Sequence, residues 1–125
     1  MFEWFKKTGR TAHGPDFSAV DSRAKAEDLW RRGDLHKLLL MPPEFGGEDV
    51  PPNVVYVPAF VVELKHHLDT NTIGQLVKQQ KVRRYSAEPQ YEGTSFVPCA
   101  IKITASDPAH FTTVLRIWGN ALASG

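Results

Sequence analysis

Apolar positions recur at spacings of three and four over most of the first two-thirds of the chain, interrupted by two short unbroken apolar runs, and change to alternation beyond residue 81. The first spacing marks one face of a helix and the second one face of a strand. Asp16 and Ser18 sit where a helix would open, Ser18 with Asp21 approximates a capping box, and Gly33 offers a C-terminal stop. The pattern therefore predicts a helix from Asp16 or Ser18 to Arg32. Within it Ala19, Ala26, Leu29 and Trp30 share an arc of about 100° that excludes most of Arg23, Lys25, Arg31 and Arg32, so Trp30 is expected on the core.

Leu38, Leu39, Leu40 and Met41 form an apolar run ended by Pro42 and Pro43, and Val54, Val55, Tyr56 and Val57 form a second ended by Pro58. Proline stops strand and helix alike, so both runs read as short strands, the second buried on two sides. Pro58 suits a helix start, with Val61, Leu64 and Leu68 on its inner face. That pattern breaks near Asp69. Thr72 and Gln75 supply another capping box, which predicts a restarted helix ending near Gln80 with Ile73, Leu76 and Val77 inward.

Three strands are expected after that. Val82 to Ala87 forms the first, Val97, Cys99, Ile101 and Ile103 line one face of the second, and Phe111, Thr113, Leu115 and Ile117 line the third. Turns near Glu92-Gly93 and Ser106-Asp107-Pro108 join them into an antiparallel meander. The expected fold is α+β, with N-terminal helices on one face of a mostly antiparallel sheet of four or five strands. Residues 1–125 read as one domain, flexible at 1–15 and 119–125. Phe2, Trp4 and Phe5 beside Lys6 and Lys7 read either as an interfacial anchor or as a turn covering the core.

Composition narrows the functional classes. Fifteen basic and fourteen acidic residues leave a net charge of +1, so no global field draws in nucleic acid or an anionic membrane. A single cysteine, Cys99, excludes an intrachain disulfide and a cysteine-rich zinc site. Cys99 falls in the apolar phase of a strand, where a thiolate is disfavoured. Neither a signal sequence nor a membrane span is visible, so a cytoplasmic protein is expected.

The densest set of metal-ligand types is Glu63, His66, His67 and Asp69. Adjacent histidines on a helix point about 100° apart, unlike the i, i+4 pair of a zinc helix. Glu63 with His67 and a remote histidine is the basis for the alternative of a small metal-dependent hydrolase. Lys78, Lys81, Arg83 and Arg84, followed by Tyr85, are the basis for a nucleic-acid alternative, against the simpler reading of a charged edge strand. No phosphate cradle or nucleophile elbow is present, and no motif calls for a cofactor, a metal or a catalytic residue.

The loop 42–53 carries paired prolines at each end and three acids, Glu44, Glu48 and Asp49. Paired prolines reduce the entropy lost in holding a long loop in one shape, which suits either a presented binding surface or a connector guiding the chain between strands. Tyr91 and Glu92 form a second acidic, aromatic turn. Together Glu44, Glu48, Asp49, Tyr91 and Glu92 are the expected interface of a non-enzymatic domain that binds a protein partner.

The run 39–58, LLMPPEFGGEDVPPNVVYVP, and the run 89–98, PQYEGTSFVP, resemble small uncharacterised bacterial proteins, some of them associated with the immunity-type partners of polymorphic toxins. The resemblance covers under half the chain and brings no site residues. It implies a cytoplasmic protein that neutralises a toxin by binding it.

Overall fold

A computed structural model describes residues 16–123. The aromatic segment at Phe2–Phe5, the connection at 8–15 and the last two residues lie outside them. In chain order the elements are helix α1 (Arg23–Arg31), strands β1 (His36–Leu39) and β2 (Val54–Val57), helix α2 (Ala59–His67), a π-helical segment (Leu68–Ile73), helix α3 (Gly74–Lys78), strands β3 (Arg84–Gln90), β4 (Ala100–Ser106) and β5 (His110–Arg116), and a short helix α4 (Asn120–Ala123).

The fold is α+β, but its five strands form two antiparallel sheets instead of one. Among the described residues β1 pairs only with β2, and β3-β4-β5 form the expected meander. Pro42 and Pro58 end the β1–β2 hairpin after four residues per strand, and β4 already has a neighbour on each side. Within the meander the alternation is clean. Ile101, Ile103 and Ala105 are buried, while Lys102 and the opposing Glu88 and Val114 are exposed. Before β4 the alternation fails, since Val97, Pro98, Cys99 and Ala100 are all buried. Trp118 joins them, donating from Nε1 to Val97 O at 3.0 Å.

α1 begins later than its apolar arc predicts. Ser18 N is held by Asp16 Oδ1 in a local turn, and Ser22 is the residue whose hydroxyl accepts from Lys25 N. Ala26 faces inward at 1% exposure, whereas Trp30, expected on the core, lies at the surface, 38% exposed. Trp30 rests on Tyr56, with ring centroids 5.7 Å apart, under the Lys37 ammonium.

The expected restart at Thr72 does not occur, because the chain stays helical from Ala59 to Lys78. Leu64 is 52% exposed and Lys65 is buried in its place. The inward line is Val61, Lys65, Asp69 and Ile73, a period of four. Each four-residue step overshoots one α-helical turn by about 40°; the wider π turn absorbs that drift and keeps Asp69 and Ile73 facing the core.

Candidate functional site

Lys65 and Asp69 are 1% and 4% exposed, two of the three buried polar side chains among the described residues. Lys65 Nζ donates to Asp69 Oδ2 at 2.6 Å, and the hydroxyl of Tyr85, on β3, donates to Asp69 Oδ1 at 2.8 Å. Tyr85 Oη also lies 3.4 Å from Leu40 O, and the Lys65 ammonium sits 5.4 Å from the Tyr85 ring centre. The cluster therefore ties three parts of the chain together: the π turn, the start of β3 and the end of β1. Burial pulls the Lys65 ammonium below the usual lysine value, opposed by its bond to Asp69 and by the charges of Asp69 and Glu44. Such a cluster holds elements in place, since each of its charged atoms already has a hydrogen-bond partner.

The loop 42–53 lies beside it and is tightly built. Short 3-10 turns occupy Pro43–Phe45 and Pro51–Asn53. The Asn53 side chain accepts from Met41 N at 2.8 Å and donates to Met41 O and Glu48 O at 3.0 Å each, and Leu40 N bonds Asn53 O. One amide thus clamps both ends of the loop. Gly47 fits against Met41 with no room for a side chain, since a Cβ there would stand 1.7 Å from Met41 O.

Two grooves flank the cluster. One of about 180 Å³ is bordered by Lys37, Pro42, Glu44, Lys65 and Asp69. The other, of about 270 Å³, has Met41, Phe45, Ile73, Val82 and Tyr85 among its walls, with Arg83 and Arg84 at its edge. Phe45 and Tyr85 pack with ring centroids 5.2 Å apart.

No protein-family model, curated protein or solved structure matches this chain. Functional inference therefore rests on the site itself.

The five residues expected at an interface fall in two places. Glu44, Glu48 and Asp49 are exposed on the clamped loop, with Asp49 Oδ2 3.1 Å from Lys37 Nζ. Tyr91 is 49% exposed and borders a shallow cleft with Arg23, Val54 and Phe96. Glu92 serves the fold: its Oε1 accepts from Asn120 N at 2.8 Å and its carboxylate lies against Gly119.

Of the residues with metal-ligand chemistry, Asp69 turns inward to Lys65, whereas His66 and His67 stay exposed and His67 Nδ1 contacts Asn71 at 3.2 Å. Among the described residues no three histidine, cysteine or acidic side chains converge as a metal site would require. Tyr85 is half-buried, with its hydroxyl turned inward to Asp69. Cys99 is buried, and desolvation raises its thiol above the ordinary value, with Glu92 adding to the effect. No helix among the described residues is long and apolar enough to cross a membrane.

Lys65 and Asn53 carry the site's construction, and sequence reasoning missed both. The available signals were the i, i+4 spacing of Lys65 and Asp69, and an asparagine directly after paired prolines.

Burial raises the Tyr85 phenol above its ordinary value, and the charge and hydrogen bond of Asp69 and the charge of Glu44 raise it further. An acid raised by folding contributes stability that is whole below its unfolded value of about 10 and is lost as pH rises through the folded value. In an alkaline titration Tyr85 should therefore ionise only as tertiary structure is lost, so a step of tyrosinate absorbance coincides with the loss of near-ultraviolet dichroism. Tyr85→Phe should shrink that step by the absorbance of one tyrosine. Ionisation of Tyr85 at free-tyrosine pH in the folded protein would contradict the arrangement.

Proposed function

We propose that this chain is a non-enzymatic protein-binding domain that presents the acidic loop 42–53 to a partner, with an immunity-type role as the sharpest version. The observation that carries the reading is the clamp. Asn53 and Gly47 fix the loop, and Glu44, Glu48 and Asp49 stay exposed on its rim. A surface already held in its bound shape loses little ordering entropy on association, and exposed acids on it favour fast encounter with a basic partner. The buried ion pair supports the same loop from below, with Lys65 and Asp69 bordering the groove that Glu44 also borders.

The test is capture from native lysate with the immobilised chain, followed by binding kinetics on the recovered partner. A single stable partner with a basic contact surface is expected. Changing Glu44, Glu48 and Asp49 together to alanine should slow association about tenfold and flatten its salt dependence. Failure to recover any stable partner, or kinetics unchanged by the triple substitution, would count against the reading. For the immunity version, the recovered partner should be toxic to cells when expressed alone and harmless when co-expressed with this chain.

A further inference from the structure

We propose that the groove at the start of β3 is a second recognition site, which takes an acidic peptide segment of a partner protein. One apolar side chain enters the groove, and the flanking carboxylates meet Arg83 and Arg84. The groove shares Phe45 with the loop but selects the charge opposite to that of the loop's acidic rim, and its test does not depend on recovering the loop's partner.

The groove is apolar where it is deep. Ile73 and Val82 are 1% and 4% exposed at its base, and Met41, Phe45 and Tyr85 stand half-buried around them. Its walls are held open. Tyr85 is fixed through its hydroxyl to Asp69, Phe45 is braced on the Tyr85 ring, and the Met41 backbone is clamped on both sides by Asn53. A volume of about 270 Å³ lies just under the usual range of about 300–1,000 Å³ for small-molecule sites. It suits a single leucine- or phenylalanine-sized anchor of the kind that dominates peptide interfaces.

Charge selects the class of occupant. The Arg83 and Arg84 side chains are 72% and 79% exposed, and Lys78 and Lys81 add two more exposed cations just upstream. Both guanidiniums approach Asp107, at 3.5 and 3.4 Å, in long, solvent-screened contacts that a better-placed carboxylate can replace at little cost. Val77, another of its walls, carries the apolar lining out to the surface, where it is 43% exposed beside Lys78. An anchor side chain seated below this rim leaves its neighbouring carboxylates level with the exposed cations.

The probe is a fluorescent peptide, Asp-Glu-Phe-Glu-Asp, followed by anisotropy at low and moderate salt. The chain should bind it, with affinity falling as salt rises. Replacing the phenylalanine by serine, or the acids by their amides, should weaken binding at least about tenfold, and Arg83→Gln/Arg84→Gln in the protein should do the same. Both arginines are surface residues, so an unchanged Tm verifies that the double variant is folded. The variant with alanine at positions 44, 48 and 49 should bind the peptide as tightly as the native chain or more so. The proposal is overturned if the native chain ignores the peptide, if the amide version binds equally well, or if the double arginine variant keeps full affinity. Binding of hexanoate without binding of the peptide would assign the groove to small carboxylates and overturn it as well.

Discussion

Lys65→Met is expected to lower the unfolding free energy by about 3–5 kcal/mol, because it strands the Asp69 carboxylate in the interior without its cation. Methionine matches the length and apolar stem of lysine, so little of the loss comes from packing. Asp69 is 4% exposed, and among the described residues the Tyr85 hydroxyl, at 2.8 Å, is the side chain left to satisfy it. Adding Asp69→Leu should recover at least half of the loss, since exchanging a whole buried pair for apolar residues is often neutral or better. Tyr85 keeps a fallback acceptor in Leu40 O, 3.4 Å away. Urea unfolding with an unchanged m-value is the measurement. A single-variant loss below about 1 kcal/mol, the range of exposed ion pairs, would mean that the pair is not confined as described.

Gly47→Ala carries the second large effect, about 3 kcal/mol, at the upper end of overpacking costs. The added methyl would meet Met41 O at 1.7 Å and Met41 C at 2.5 Å, and both atoms are backbone that cannot rotate away. Relief requires the loop to lift, which breaks the Asn53 bonds to Met41. Amide exchange at Met41, whose N–H is held by Asn53 Oδ1, should accelerate with the loss of stability, and binding of the loop's partner should weaken with it. Gly93→Ala is the comparison. Gly93 has φ +60 but open space around it, so only the left-handed backbone penalty of about 1 kcal/mol applies. Equal effects from the two substitutions would show that the Met41 contact is not what requires glycine at 47.

The meander was readable because its strands are amphipathic in the simplest way. Ile101, Ile103 and Ala105 alternate with Lys102 and Thr104, and a period of two leaves one choice of buried face. The helix 59–78 was readable at its two ends but not in its continuity through Asp69 or in its phase. Its inner face contains a lysine and an aspartate, and a reading that assigns apolar residues inward turns Leu64 to the core instead of Lys65. Tyr85, sixteen positions from Asp69 and on another element, completes the hydrogen bonding of that buried pair, and local patterning does not carry such a partner. α1 was misplaced because Ser18 and Ser22 are both plausible caps; the turn closed by Asp16 decides between them. The acidic loop was legible as a constrained surface from its prolines. The clamp that constrains it was not, because Asn53 acts through backbone atoms at positions 41 and 48, which no side-chain pattern records.

Glu44 and Phe45 are consecutive residues of one 3-10 turn, yet Glu44 borders one groove and Phe45 the other. The two side chains leave the same short turn in different directions, so any displacement of that turn by an occupant of one groove would be felt in the other, and linkage would make the effect reciprocal.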